Sequence, residues 1–469
     1  MIRYAAQVRW LLVLALSLVA VTSRAQPLTD NDFEIDAITT PVLASGRITG
    51  LAGAYTSLAE GIDGVPYNPA AYAARPAWEH EWWEWDITAS LTLAGSFSNQ
   101  DFFNNGLGEG FGIDSFVFVD LGMRLQFGDF GLGGLLQVQS FDDLTTGSTI
   151  GFQTIHYGAG YSILDGQVVV GVGGRTTNMN IVSALDETLV NFTGTGVELG
   201  GLLRLDALPF RVGAALRTPV DARVIDADGM GVQQVEGFVL PRAVALPWEV
   251  QAGFAFQLGR PINHRHIRIK KVRETYQDTF ADARCQRERE QLIREGHPEE
   301  GLRCPNLGAQ AQDREWRRAE RLRQRDENRR ANELADRAED ELYDLWGEVY
   351  DAMPRQYFLV SVDLLVQGPT EDGIGIDAFL AQERRVRGDA WFFGFRIGVE
   401  GEPWANRLKL RAGTYLEPGR YQGVGPRVHG TAGIDVRLFE LFDIDWRASF
   451  TVDGARDYVS WGVGVGVWH

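Results

Sequence analysis

Residues 407–468 read RLKLRAGTYLEPGRYQGVGPRVHGTAGIDVRLFELFDIDWRASFTVDGARDYVSWGVGVGVW. Apolar side chains recur at every second position, as Leu408, Leu410 and Ala412 do between Lys409 and Arg411. A period of two is typical of a β-strand, because successive side chains point to opposite faces. Strands of about ten residues in consecutive hairpins, each with one purely apolar face, favour a barrel with lipid outside and polar groups inside.

The N-terminus predicts export from the cytoplasm. Arg3 and Arg9 precede an apolar run over residues 10–21, and small residues lead to a cleavage site after Ala25. This pattern predicts that residues 1–25 are a secretory signal peptide. The run is shorter than the roughly 20 residues of a membrane-spanning helix, and no later stretch reaches that length without charges. A position in a membrane therefore requires a closed barrel, because unpaired backbone groups are too costly in hydrocarbon.

Composition narrows the possible functions. The 469 residues carry a formal net charge of −18, which argues against nucleic acid as a partner. The 54 glycines and 11% aromatic residues suit a barrel with a crowded lumen and aromatic rims. The sequence contains no Gly-x-Ser-x-Gly, His-Glu-x-x-His or Walker motif. We therefore predict no enzymatic activity, no catalytic residue, no metal site and no cofactor.

The alternating pattern predicts fourteen strands. The candidates are 84–98, 114–127, 130–141, 150–163, 166–180, 195–206, 209–220, 247–260, 357–367, 390–401, 407–417, 427–438, 442–453 and 457–468. Connections after even-numbered strands are mostly short and those after odd-numbered strands mostly long. Bacterial barrels have short periplasmic turns, long outer loops and both termini in the periplasm, and fourteen strands satisfy this rule. Gly373–Leu380 is assigned to an outer loop, because a strand there would invert the pattern.

The segment before the first strand, residues 26–83, has no sustained period. It contains SGRITGLAGAYT at 45–56 and VPYNPAA at 65–71. This combination resembles the N-terminal plug, or hatch, of FadL-type long-chain fatty acid channels, and the related PorV-type barrels share it. The segment Leu410–Pro418, followed by Ala432–Arg437, also resembles the C-terminal hairpins of that superfamily.

The resemblance implies a fourteen-stranded outer-membrane barrel closed by an N-terminal plug. It carries over one motif, Asn68-Pro69-Ala70, as the plug motif with a possible gating role. Two interpretations of Gly46, Gly50 and Gly53 stay open, namely tight packing of a plug inside the barrel and a direct role in ligand binding.

The function implied by the resemblance is passage of hydrophobic compounds, such as long-chain fatty acids, across the outer membrane. The expected partners are outer-membrane lipid and a hydrophobic small molecule. An alternative is a PorV-like scaffold or shuttle barrel that binds a protein partner. A third interpretation, an open diffusion porin, predicts an ion conductance that a filled lumen does not give.

Thirteen charged residues fall on the polar side of their strands and are predicted to line the lumen. They are Asp120, Arg124, Arg204, Arg211, Arg396, Arg407, Lys409, Arg411, Asp435, Arg437, Asp443, Asp445 and Arg447. Two interpretations are open, a hydrophilic conduit and a lumen filled by charges that pair with each other and with the plug. Interleaved signs favour the filled lumen. His264 and His266 lack a carboxylate or cysteine at matching spacing, so we favour solvated histidines over a metal site.

Residues 261–356 separate strands 1–8 (84–260) from strands 9–14 (357–469) and differ from both in composition. Mixed charge at three- and four-residue spacing predicts two helices, at about 272–295 and 312–350, in a periplasmic insertion. Cys285 and Cys304 bracket the turn between these helices, and a disulfide or two unpaired thiols are both open. The hairpin, 265–353, is either a docking surface for a periplasmic protein or a passive appendage.

Overall fold

The computed structural model describes residues 26–76, 82–94, 101–107, 113–206, 208–224, 232–263, 269–297, 313–441 and 444–468. The predicted plug 26–83, the strands 84–98 and 442–453 and the insertion 261–356 lie partly outside these ranges. Five further predictions lie wholly outside them. They concern the signal peptide at 1–25, His264, His266, Cys304 and Asp443.

Within the described ranges, fourteen antiparallel strands close into one barrel, as the sequence predicted. The first strand pairs with the last, through Ser460 opposite Ala94 to Gly466 opposite Thr88. The strands are β1 (Trp83–Ala94), β2 (Ile113–Phe127), β3 (Phe130–Asp143), β4 (Thr149–Ile163), β5 (Val168–Val182), β6 (Thr188–Arg204), β7 (Phe210–Arg217), β8 (Glu249–Gly259), β9 (Tyr357–Gln367), β10 (Phe392–Trp404), β11 (Leu408–Glu417), β12 (Arg427–Leu441), β13 (Ile444–Ala455) and β14 (Tyr458–Val467).

The two faces of the barrel wall differ in polarity as the alternation predicted. On β11, Leu410 points outward and is 44% exposed, whereas the next residue, Arg411, is buried in the lumen. Leu410 pairs with Ile434 on β12, which pairs with Phe450 on β13, so apolar side chains form a continuous outer belt. Such a belt would be poorly solvated in water and matches the hydrocarbon-facing surface of a membrane barrel.

None of the helices in the described part of the chain combines the length and the apolar composition needed to cross a bilayer.

A charge on the outer belt is expected to destabilise the barrel. Leu410→Arg puts a guanidinium into hydrocarbon and should cost about 2–4 kcal/mol near the middle of the membrane and less near its edge. The measurement is folding free energy by urea titration in lipid vesicles. Leu410→Phe, which keeps the face apolar, is the matched control and should fold as the wild type does. Equal stability of both variants would contradict the assigned register.

The plug occupies residues 26–76 and packs inside the barrel. Inside the barrel its regular elements are helix α1 (Gly46–Gly50) and two 3-10 turns, Ile62–Gly64 and Pro69–Tyr72. Asn68 caps the second turn by accepting a hydrogen bond from the backbone of Ala70, and Pro69 starts it with a fixed φ. The local sequence therefore determines the shape of the segment that carries the predicted plug motif.

The start of the described chain lies at the barrel end that carries the long connections. Glu34–Asp36 forms a short strand that pairs in parallel with Ala243–Leu246 and with Gly373–Ile374. These partners belong to the connections after β7 and β9. The expectation that both termini lie at the short-turn end is therefore wrong for the start of the plug, which reaches the opposite end of the barrel. Gly373–Ile374 and helix α2 (Ile376–Leu380) lie in the connection after β9 and outside the barrel wall, as predicted.

The insertion between β8 and β9 forms two helices, α3 (Ile269–Arg294) and α4 (Arg314–Ala352). Asp313 caps α4 by accepting hydrogen bonds from the backbone of Glu315 and Trp316. Ion pairs join the helices, since Arg287 contacts Glu320 and Glu327, and Arg273 contacts Asp336 and Glu339. Cys285 is disulfide-bonded. Its pairing with Cys304 stays a prediction, because Cys304 lies outside the described residues.

Candidate functional site

The plug motif lies directly against glycines of the barrel wall. A Cβ atom added to Gly171 on β5 would lie 2.1 Å from the carbonyl oxygen of Pro69. A Cβ added to Gly200 on β6 would lie 2.2 Å from Oδ1 of Asn68. Both distances are shorter than any side-chain contact allows, so only glycine lets plug and wall meet here.

The side-chain amide of Asn68 forms hydrogen bonds both within the plug and to the barrel wall. Its Nδ2 donates to the carbonyl oxygens of Thr56, at 2.7 Å, and Gly201, at 3.0 Å. Its Oδ1 accepts from the backbone of Ala70 at 3.0 Å, and the side chain is fully buried. A buried amide with satisfied donors and acceptor fixes a conformation. The geometry thus gives the predicted motif a seating role.

The glycines near α1 also serve packing. Gly46 faces Ser449 on β13, and Gly50 approaches Arg411 and the backbone of Gly433. Gly53 has a φ of +73°, which glycine adopts without strain. Of the two interpretations left open by the sequence, these contacts support tight packing of the plug.

Two charged residues of the plug reach the wall. Arg47 forms a two-bond contact with Glu400 on β10, at 2.9 and 2.8 Å. Glu60 bridges Arg47, at 2.9 Å, and Arg211 on β7, at 2.7 Å. Charge-assisted pairs of this kind are short and directional. They hold the plug to two wall strands, β7 and β10, which are separated by β8 and β9.

These links continue into a network of wall charges. Arg411 contacts both Glu400 and Asp435, the latter at 2.6 and 2.8 Å, and Arg447 also contacts Asp435. Further cations donate to plug backbone, since Arg124 bonds the carbonyl oxygens of Ala71 and Ala74. The predicted charges are thus mostly paired or bonded to the plug, which supports the filled lumen over a hydrophilic conduit.

The other predicted lumen residues occupy several positions. Arg204 donates to the carbonyl oxygens of Gly166 and Arg75, and Asp120 is buried on the lumen side of β2. Lys409 lies 4.4 Å from the ring centre of Trp468. Arg437 and Asp445 form a partly exposed ion pair near the short-turn end. Arg407 was predicted wrongly, because it lies in the turn before β11 with an exposed side chain and does not line the lumen.

Four residues of the site were not predicted from the sequence, namely Arg47, Glu60, Glu400 and Asp363. Asp363 accepts hydrogen bonds from the backbone N–H groups of Tyr55 and Thr56. Glu400 and Asp363 share the inward parity of their strands, so the strand period contained the signal for both. Arg47 and Glu60 lie in the aperiodic plug, where no period marks a buried face.

The Glu60 bridge is expected to resist acid. Burial alone would raise the pKa of Glu60, but Arg211 and Arg47 outweigh it and lower the pKa to about 2. A lowered pKa adds stability that is complete above the unfolded value, near 4.5, and is lost as pH falls through about 2. Glu60→Gln should therefore unfold at a lower temperature than the wild type at pH 7. We expect the difference in melting temperature to shrink between pH 4.5 and 2, and a pH-independent difference would contradict the bridge.

The plug separates two cavities inside the barrel. The outer cavity, of about 230 Å³, lies towards the long connections. Its walls include the aromatic side chains Tyr67, Phe118, Phe152 and Tyr415. The inner cavity, of about 90 Å³, lies towards the short turns and is lined by charged residues of the plug seat, among them Arg47 and Glu60.

Two guanidinium groups of the outer cavity have no carboxylate within ion-pair distance among the described residues. Arg175 on β5 donates to the carbonyl oxygen of Thr218 at 3.0 Å, and its Nε has no hydrogen-bond partner. Arg396 on β10 donates to the carbonyl oxygen of Gly53 at 3.3 Å and lies over the ring of Tyr67. In contrast, Arg217 of the same cavity pairs with Glu198 and Glu249. The outer cavity thus combines aromatic walls with two incompletely paired cations.

An apolar layer covers the outer cavity on the side of the long connections. It packs Phe33 and Ile35 of the plug against Phe102 of the first connection and Phe116 and Phe141 of the wall. Asp36 ties the plug to this layer, because the buried Arg387 and Arg420 both contact it. The barrel is therefore closed at this end by side chains as well as by the plug.

The closed, antiparallel wall with its apolar outer belt is one of the two structures that can span a bilayer. The protein is a plugged β-barrel with a membrane-spanning wall. No protein-family model and no curated protein matches the sequence. Solved structures do match it over most of its length, and one of them is a FadL homologue.

One match is the CymD monoaromatic hydrocarbon channel, at 10% identity and a TM-score of 0.46, over 92% of this chain and 97% of that chain. A Pseudomonas aeruginosa FadL homologue matches at 10% identity and a TM-score of 0.44, over 92% and 98% of the two chains. The Ralstonia pickettii toluene transporter TbuX matches at 10% identity and a TM-score of 0.43, over 92% of this chain and 97% of that chain. Two of these three proteins are named as a channel and a transporter, and none is named as an enzyme.

Proposed function

We propose that the barrel carries hydrophobic compounds with an anionic group, such as long-chain fatty acids, across the outer membrane. The observation that carries this proposal is the outer cavity, where Arg175 and Arg396 face a space with aromatic walls. A carboxylate forms strong charge-assisted hydrogen bonds with a guanidinium, especially where water is scarce. Phe118 and Phe152 offer apolar surface to the chain of the same ligand.

The plug is the proposed gate. It separates the outer cavity from the inner one, so a ligand that enters from outside crosses only if the plug, which is seated through Asn68, Pro69 and Ala70, moves. The seat depends on hydrogen bonds and ion pairs rather than on a covalent link, and such contacts can open and re-form. Movement of the plug then joins the two cavities and releases the ligand towards the periplasm.

The anionic group distinguishes this proposal from transport of neutral aromatics. CymD and TbuX are named for monoaromatic hydrocarbons and toluene, which carry no charge. Arg175 and Arg396 would not strengthen the binding of such neutral ligands. A carboxylate, in contrast, would supply the negative charge and the hydrogen-bond acceptors that these two guanidinium groups lack. Arg175→Gln with Arg396→Gln should therefore reduce fatty acid uptake and leave uptake of toluene unchanged.

The test is uptake of labelled long-chain fatty acid by cells that lack their own fatty acid channel. We expect uptake above background with the wild type and a loss of most of it in the double variant. Arg437→Gln, whose ion pair lies outside the outer cavity, is the matched control and should transport normally. Background uptake from a folded wild-type barrel, confirmed by heat-modifiable migration, would contradict the proposal.

We propose a second role for the helical insertion, as a docking surface for a periplasmic protein. The supporting observation is the 39-residue helix α4, which packs against the shorter α3 and exposes Leu322, Leu345 and Val349. Deleting 265–353 should leave uptake intact and remove the partner in a pull-down. A deletion that abolishes uptake of a folded barrel would contradict a separate docking role.

A further inference from the structure

Charge is distributed unevenly along α4. The stretch Arg314–Arg330 holds eight arginines and four acidic residues, whereas 331–352 holds one arginine and eight acidic residues. The protein as a whole has a net charge of −18, so this first half of α4 is a basic surface on an acidic molecule. Such local charge excess directs association with an oppositely charged partner.

The acidic residues of the first half are already used inside the hairpin. Glu320 and Glu327 both contact Arg287 of α3, at 3.0 and 2.7 Å. Asp326 pairs with Arg329 at 2.5 Å. Carboxylates of α4 thus pair with α3 or within α4, and most arginines of this half have no acidic partner among the described residues.

Four of these arginines form one stripe on the outward face of α4. Arg314, Arg318, Arg321 and Arg325 are spaced by four, three and four residues, which is the repeat of a single helix face. All four are exposed, and none has a carboxylate within ion-pair distance in the described part of the chain. Residues that face α3, such as Glu320 and Ala331, lie on the other side of the helix. Leu322, 59% exposed, lies beside the stripe.

We infer that this stripe docks an acidic, helical segment of a partner protein, with Leu322 as the apolar contact. A lipid surface fits poorly, because a helix that lies on a membrane needs an extended apolar face and the stripe has one leucine. Two copies cannot dock stripe against stripe, because like charges would meet. The acidic half of α4 in a second copy is partly occupied, since its Asp336 and Glu339 already pair with Arg273. Acidic side chains repeated every three or four residues on a partner helix match the spacing of the arginines. The inference rests on the second role proposed above and is independent of transport.

The experiment measures binding of a synthetic, fluorescent helical peptide with glutamates at the same four-three-four spacing. Full-length protein in detergent is titrated against the peptide at about 0.15 M salt, where long-range attraction is screened. The test variant is Arg318→Gln/Arg321→Gln/Arg325→Gln. The control variant, Arg317→Gln/Arg330→Gln/Arg337→Gln, removes the same charge from other faces of α4. Glutamine is a good helix former at exposed positions, so both variants should keep their helices, which circular dichroism checks.

The stripe variant should bind the peptide roughly tenfold more weakly, because three exposed pairs are lost. The control variant and fatty acid uptake should stay close to wild type. An equal loss of peptide affinity in both variants would overturn the inference. The same holds if dextran sulfate competes as well as unlabelled peptide does, because the stripe would then attract any polyanion. Deletion of 265–353 separates the remaining cases. If the deletion abolishes peptide binding and the stripe variant does not, the hairpin docks a partner through other residues and the inference about the stripe is wrong. If the deletion has no effect on peptide binding, the docking role and the inference about the stripe are both wrong.

Discussion

Gly200→Val is expected to unseat the plug and open the barrel to ions. A Cβ at this position would lie 2.2 Å from Oδ1 of Asn68 and 2.7 Å from the backbone nitrogen of Ala70. Overpacking of a tight interior costs about 1–3 kcal/mol, and backbone atoms of the plug cannot move aside as a flexible side chain can. The plug should therefore leave its seat while the strands, which keep their own hydrogen bonds, stay closed. Planar-bilayer recordings should show a conductance above that of the wild type.

The neighbouring residue supplies the control for this experiment. The carbonyl oxygen of Gly201 accepts a hydrogen bond from Asn68, but a Cβ added to Gly201 would have no heavy atom within 4 Å. Gly201→Val therefore adds the same volume to the same strand and should keep the conductance of the wild type. Equal conductance in the two variants would show that the contact between Gly200 and Asn68 does not hold the plug.

Asp36→Ala is expected to release the outer part of the plug. Asp36 is fully buried, and Nε of Arg420 donates to its carboxylate at 2.8 Å. Arg387 lies beside the same carboxylate and donates to the carbonyl oxygens of Asp36 and Ile38, both at 2.6 Å. Removing one partner of a buried ion pair costs about 3–5 kcal/mol, because the remaining charge is buried without compensation. Residues 26–40 should then become sensitive to protease added to intact cells.

Glu34→Gln is the control for the buried clamp. Glu34 pairs with Arg242 at 2.9 Å, but this arginine is about one third exposed. Exposed pairs contribute about 0–1 kcal/mol, so protease sensitivity should hardly change. If Asp36→Ala resists protease as the control does, the plug is not held to the outer layer by this residue.

The strand period predicted the barrel because a membrane wall repeats one constraint along every strand. Each residue of β11 faces either lipid or lumen, so Leu410 and Arg411 could be assigned to opposite sides from the sequence. The same rule placed Asp435 and Arg447 in the lumen, where they join Arg411. It failed for Arg407, because a strand-end residue one position into a turn no longer obeys the alternation.

The plug contacts could not be predicted in the same way. Arg47 and Glu60 meet partners on β10 and β7 that are more than a hundred residues away, and no local pattern encodes that proximity. The glycines did carry a signal, since Gly171 and Gly200 interrupt otherwise β-favouring strands. The outer position of Glu34–Asp36 depends on pairing with two distant connections, so the rule for chain termini gave the wrong end.

The central claim is that a ligand crosses the barrel only when the plug moves. Ser57 of the plug and Ser361 of β9 suit a reversible lock, because their Oγ atoms lie 3.4 Å apart. The measurement is uptake of labelled long-chain fatty acid by cells that carry Ser57→Cys/Ser361→Cys, with and without a reductant. Wild-type cells treated in the same way control for reduction of the native cysteines. We predict background uptake when the lock is oxidised and uptake at the wild-type rate after reduction. Equal uptake in both states, with the crosslink confirmed by gel mobility, would contradict gating by the plug.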